Sequence, residues 1–136
     1  MPRRDMYHET VKQALIAEGW QITHDPYIFD TDPQLATDLG AERVIAAERE
    51  HERIAVEVKS FLAESQVSDL EKALGQYGLY RRLLQMQDTG RILYLAVPQH
   101  AYENIFQRPV GRIAVEEFQL RLVVFGPKGG LQWNRE

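Results

Sequence analysis

The chain has no cysteine, which excludes disulfides, thiol catalysis and cysteine-ligated zinc. Its four histidines, His8, His24, His51 and His100, are scattered, and no pair has the close spacing of a zinc finger or zinc-binding helix. No apolar run is long enough to span a bilayer, and the opening MPRRDMYHET lacks the apolar core of a secretion signal. A cytoplasmic protein without a membrane anchor is the expectation. Basic charge is also short: 16 Lys and Arg stand against 20 Asp and Glu, a formal net charge of −4. Bulk electrostatic attraction to nucleic acid needs the opposite sign, so any contact with DNA must run through a local patch or a partner. Repeats, low-complexity tracts and linkers are absent too. A length of 136 residues with 44% hydrophobic content fits one domain over 1–136, around a single core.

What is present alternates helix and strand. Residues 5–18 carry Met6, Val11, Ala14, Leu15 and Ala17 at helical spacing, and Gly19 follows where a helix stops. Short strands are expected over Trp20–His24 and Tyr27–Phe29, around the Asp25-Pro26 break. A strand over Ala41–Glu48 leads into a charged hairpin tip, Arg49 to Glu52, and returns over Arg53–Ser60. Val67–Gln87 is the longest helix signal, with Val67, Leu70, Leu74, Tyr77 and Leu84 on one stripe. Gly75 and Gly78 inside it each cost about 1 kcal/mol relative to Ala, which points to a close approach of helix to sheet or to a simple packing need. Arg91–Val97 is almost continuously apolar, as a strand covered on both faces would be. One helix is expected from Pro98 through Phe106 and another over Val110–Phe118. A strand over Gln119–Phe125 follows, then a short tail with Trp133. The order predicts an α/β sandwich with a mixed sheet.

The stretch IAVEVKSF, residues 54–61, raises the question of function. Alternation places Ala55, Glu57 and Lys59 on one face of a strand and Ile54, Val56 and Val58 on the other. A carboxylate and an ammonium on an apolar strand need either an open, solvated face or a task. Asp38 upstream, with Glu-Val-Lys on the next long strand, resembles the PD-(D/E)XK nuclease superfamily. Two carboxylates and the intervening Val58 carbonyl offer hard oxygen ligands to Mg²⁺ or Mn²⁺, and Lys59 can hold an attacking water or steady transition-state charge. In that superfamily a first-helix acid often completes the metal site, which here makes Glu9 a candidate; first-turn compensation of the helix dipole is the alternative. Gln76 and Tyr80 form Gln-X-X-X-Tyr on one helix face, a pair that the RecB-like branch carries near its active site.

A closer resemblance covers nearly the whole chain. The runs YHETVKQALIAEGW, ATDLGAERVIAAEREHERIAVEVKSF, DLEKALGQYGLYRRLL, YLAVPQHAYENIF and FQLRLVVF, in that order, resemble the XisH-like family, the fdxN-element excision-controlling factors of cyanobacteria. The resemblance implies a restriction-endonuclease-like three-layer sandwich, a central mixed β-sheet flanked by helices. It also implies a part in site-specific DNA excision during heterocyst development, beside a companion factor, XisI. The catalytic residues it implies are Asp38, Glu57, Lys59, Gln76 and Tyr80, with Asp38, Glu57, Val58 and Glu9 around the metal. Thr37 stands where the superfamily name has proline. Two readings follow: a metal-dependent endonuclease, or a catalytically silent regulatory module that binds the companion. DNA contacts are expected from Lys72, Arg81, Arg82, Arg3 and Arg4, which otherwise make a solvated face and a loose terminus. A homodimer is the default, because cutting both strands favours two-fold symmetry.

Overall fold

The computed structural model describes residues 6–44, 51–128 and 130–134. Arg3, Arg4, the strand residues expected over 45–48, and Arg49 and Glu50 of the hairpin tip lie outside them. The chain runs α1 (His8–Ala17), β1 (Gln21–His24), β2 (Tyr27–Ile28), β3 (Ala36–Thr37), β4 (Leu39–Val44) and β5 (His51–Val58). It continues through α2 (Gln66–Gln87), β6 (Arg91–Pro98), α3 (Gln99–Glu103), a 3₁₀ turn (Ile105–Gln107), α4 (Pro109–Glu117), β7 (Leu122–Phe125) and β8 (Leu131–Asn134).

Six strands form one sheet in the order β1-β4-β5-β6-β7-β8, and β2 pairs with β3 in a small ribbon beside it. β5, β6 and β7 run parallel, while the β1–β4, β4–β5 and β7–β8 pairings are antiparallel. Strand alternation divides the core in two. Ala55, Leu93, Leu95, Val97, Leu122 and Val124 pack with Ala73 and Tyr77 of α2, Ala101 of α3 and Ala114 of α4. Ile54, Val56, Val58, Tyr94, Ala96 and Val123 face the other way, onto Val11 and Leu15 of α1. The result is a mixed α/β fold with helices against both faces of a central mixed sheet. No helix among the described residues is long and apolar enough to cross a membrane.

Local chemistry sets the element ends. Gly19 takes φ +94 at the close of α1, a conformation that favours glycine. Ser65 caps α2 by accepting from the Ser68 N–H at 3.2 Å. Three expectations need correction. The helix expected from Pro98 to Phe106 breaks at Asn104 (φ −110, ψ −91) into α3 and the 3₁₀ turn. Gln119 does not begin a strand; it leaves α4 with a left-handed φ of +50, and the ladder starts at Leu122. The tail is an edge strand, because Trp133 pairs with Val123 and its ring meets Tyr94 at 4.9 Å and Trp20 at 5.7 Å.

The glycines in α2 also differ from expectation. A Cβ added to Gly75 or Gly78 would meet no atom within 4 Å, so neither marks a close approach to the sheet. Gly75→Ala and Gly78→Ala should therefore each stabilise the protein by roughly 0.5–1 kcal/mol, the ordinary helix-propensity gain, read from urea unfolding midpoints.

A polar staple holds the end of α2 to β2, β5 and β6. Arg91 is 8% exposed; its Nε donates to Asp88 Oδ2 at 2.7 Å and its Nη1 to the Ile54 carbonyl at 2.9 Å. Arg53 Nη1 donates to Asp88 Oδ1 at 2.6 Å, and the Tyr27 hydroxyl to Asp88 Oδ2 at 2.8 Å. Burial alone would raise the Asp88 carboxyl, but hydrogen bonds from Arg91, Tyr27 and Arg53 outweigh it and hold the group at about 2, against an ordinary 3.8. A depressed folded-state pKa gives stability that is present above pH 4 and lost as pH falls through 2. After solvent screening the loss should be about 1–2 kcal/mol. Acid unfolding between pH 5 and 2 checks this, since Asp88→Asn should flatten that part of the curve.

Candidate active site

The end of β5 and the bend before β4 meet beside the first turn of α1. Glu57 lies on the α2 side of the sheet, one residue before β5 ends, and is 5% exposed. Thr37, the last residue of β3, donates its hydroxyl to Glu57 Oε1 at 2.7 Å. Lys59 Nζ sits 3.2 Å from Glu57 Oε2, and the Lys59 N–H donates to the Ala96 carbonyl at 3.0 Å, continuing the parallel ladder. Asp38 occupies the bend between β3 and β4, where its Oδ2 accepts the Val58 N–H at 2.6 Å. That bond fixes Asp38 against the Glu57–Val58 peptide, one residue before Lys59. The expected trio is thus assembled around one turn of backbone.

Burial raises the Glu57 carboxyl, the Asp38 charge raises it further, and Lys59 and Thr37 only partly offset them, leaving it at about 7. Tyr80 reports the same field: burial first, then the Glu57 and Asp38 charges, push its phenol up. The Gln76 side chain partly offsets that rise, so the Gln-X-X-X-Tyr pair sits on the face of α2 toward the carboxylates. The Gln76 Oε1 atom is buried and without a partner among the described residues. Phe29 stacks on Tyr80 at 5.3 Å, which lets the β2–β3 ribbon wall this side of the site.

Glu9 is not part of this assembly. It is exposed and accepts a hydrogen bond from Gln13 one turn along at 3.2 Å. The neighbouring His8 is the α1 residue that faces the site, because a step of one residue turns a helix by about 100°. His8 is 3% exposed. Its Nε2 meets Asp25 Oδ1 at 2.8 Å, Lys12 Nζ donates to Asp25 Oδ2 at 2.8 Å, and its Nδ1 lies 3.9 Å from Asp38 Oδ1. With Nε2 given to Asp25, a neutral imidazole presents the Nδ1 lone pair, and that atom has no hydrogen-bond partner among the described residues. His8, Thr37 and Asp25 are the residues that reading the sequence missed.

The turn after the site is strained. Phe61, two residues beyond Lys59, is buried with φ +53, and its ring meets Phe106 edge-on at 5.4 Å. A left-handed L-residue costs about 1–2 kcal/mol, and such strain gathers where a chain must be aimed.

Residues 1–130 match the XisH protein family. The chain belongs to that family. Two solved structures are similar to it, each at 38% identity. One is an XisH family protein from Nostoc punctiforme, with a TM-score of 0.83 over 95% of this chain and 98% of that one. The other is an fdxN element excision controlling factor protein from Anabaena variabilis, with a TM-score of 0.84 over 96% and 98%. No curated protein matches the chain.

Among the described residues, no three His, Asp or Glu side chains converge as a ready coordination cluster. The donor set nevertheless fits a hard divalent cation. Mg²⁺ needs only one or two protein carboxylates and completes its shell with waters and phosphate oxygens. Here the Asp38 charge lies close enough to raise the Glu57 carboxyl, beside a buried imidazole nitrogen that lacks a hydrogen-bond partner among the described residues.

Proposed function

We propose that this XisH-family chain is a metal-dependent DNA endonuclease of the PD-(D/E)XK kind, acting in the excision of a DNA element. The observation that carries the reading is the pairing of Asp38 with Glu57, with Lys59 on the same strand face, at the end of β5. The restriction-endonuclease-like sandwich is part of the same proposal, supported by a mixed sheet with the pair at the end of its parallel strands. Asp38 and Glu57 would hold Mg²⁺ or Mn²⁺, with the Val58 carbonyl and His8 Nδ1 as further donors. The cation would supply Lewis-acid neutralisation of charge developing on the phosphate.

The rest is the work of the chain. Thr37 and the Val58 N–H fix the two carboxylates, and Asp25 with Lys12 fixes the imidazole. Lys59 is placed to hold the attacking water or to offset charge as the phosphodiester opens. Tyr80, steadied by Gln76, closes the α2 side. In the hydrolysis a water oxygen bonds to phosphorus, the bond to one sugar oxygen breaks, and that oxygen takes up a proton.

One observation favours a second reading, a silent module that keeps this fold and binds a companion factor. Lys59 and Thr37 already occupy both Glu57 oxygens. Cleavage of supercoiled plasmid and of branched DNA with Mg²⁺ or Mn²⁺ separates the two. Cutting by wild type and not by Glu57→Ala supports the nuclease. Absence of cutting with an XisI-like companion present, and companion binding indifferent to Glu57→Ala, supports the module. The same assay run across protein concentration tests whether a homodimer is the active form.

A further inference from the structure

We propose that a second site, on the other flank of α2, binds a phosphate-bearing nucleotide. A groove of about 950 Å³ runs between the second half of α2, α4 and the beginnings of β6 and β7. Tyr77, 1% exposed, is buried along it, Tyr102 and Phe106 stand at one side, and Arg81, Arg112 and Arg121 line it. Its size falls in the range of small-molecule sites.

Charge is the first argument. The chain is net acidic, yet among the described residues Glu116 is the one acid lining this groove, beside Arg81 and Arg112; Arg91, also in its lining, is paired with Asp88. Arg81 and Arg112 form no ion pair among the described residues. Arg81 Nη1 donates to the Phe118 carbonyl, and Arg112 donates to the Gln107 carbonyl at 3.2 Å and to its Oε1 at 3.3 Å. Neutral oxygens hold these guanidinium groups in place and leave their charge unbalanced, while donors of the fork remain for an anion. A fixed guanidinium fork matches phosphate oxygens, and holding it beforehand reduces the ordering that binding requires.

Backbone conformation is the second. Gln119 adopts φ +50, and beside it the Phe118 carbonyl accepts from Arg81; the Tyr77 hydroxyl donates to the Leu93 carbonyl at 3.3 Å, with the Gln119 carbonyl a longer second acceptor at 3.5 Å. The Tyr77 oxygen in turn accepts the Arg121 N–H at 3.1 Å. A non-glycine residue held in the left-handed region organises the arginine wall.

Aromatic rings beside side-chain amides then suit a base: Tyr102 offers a stacking surface, and Gln85 and Gln107 can both donate and accept. A DNA duplex is too wide to enter a depression of this size, which favours a free nucleotide. The site is separate from the carboxylates, since Tyr80 faces Glu57 while Tyr77 and Arg81 face the groove.

Calorimetric titration of the whole chain with ATP, AMP and inorganic phosphate, without divalent metal, tests the proposal. ATP should bind, Arg112→Gln should weaken it about tenfold, and Arg81→Ala should weaken it at least as much. Glu57→Ala should leave it unchanged. Arg112 is exposed, so Arg112→Gln keeps the test valid if Arg81→Ala unfolds. No binding of ATP, binding indifferent to Arg112→Gln, binding lost in Glu57→Ala, or phosphate binding as tightly as ATP would each overturn it.

Discussion

Glu57→Gln is expected to abolish metal-dependent cleavage and, in the metal-free protein, to raise stability. A site that holds a cation keeps like charges together in a buried place, and the fold bears the strain until the cation arrives. Glu57 is 5% exposed and its carboxyl stands at about 7, raised by burial and by Asp38. A carboxyl with a raised folded-state pKa favours folding where it is protonated. That contribution is complete below its ordinary 4.5 and is lost as pH rises from there through about 7. The isosteric amide removes this loss while keeping an oxygen for the Thr37 hydroxyl. The gain at pH 8 should be about 1–3 kcal/mol, shrinking toward zero at pH 4, as read by thermal or urea unfolding. Cleavage should fall by about a thousandfold or more, on the order seen when one transition-state-stabilising group is removed. A variant less stable than wild type at pH 8 would show that Glu57 is a structural ion-pair member.

Gly111→Ala should be the most destabilising glycine-to-alanine change among the described residues. A Cβ there would lie 2.0 Å from the Ile105 carbonyl oxygen and 2.7 Å from the Phe106 Cα. Both are backbone atoms, so no side chain can swing away. Relief requires the 3₁₀ turn to separate from α4, which disturbs Phe106 and through it Phe61, just beyond Lys59. Overpacking of this kind costs about 3 kcal/mol, a large share of a small domain's stability. Gly75→Ala and Gly78→Ala, also glycine to alanine within helices, are the control, since their expected effect has the opposite sign. Chemical unfolding of the three variants settles whether contact or conformational freedom decides each case.

The sequence was most readable where periodicity was long. α2 lies within a residue of its expected span, and β6 is buried on both faces as its unbroken apolar run implied. Glu57 and Lys59 share a face because strand alternation admits little else once Ile54, Val56 and Val58 claim the α1 side. Asp38 meets Glu57 because β4 and β5 pair in register, Leu39 opposite Val56. On α1, His8, Val11 and Leu15, at spacings of three and seven, form the buried stripe, which leaves Glu9, a candidate by its chemistry, on the exposed side. Asp25 and Thr37 could not be read, since their roles come from β2 and β3 folding back, which no local pattern encodes. The groove along Tyr77 and Arg81 escaped for the same reason: its wall comes from α4 and the residues after it, distant in sequence from α2.

The most direct test is a calorimetric titration of Mn²⁺ into wild type, Asp38→Asn and Glu57→Gln. Asp38 and Glu57 as joint ligands predict one ion per wild-type chain and affinity at least tenfold weaker in each variant. Equal affinity in all three proteins, or none in wild type, would contradict the assignment of the carboxylate pair as a cation site.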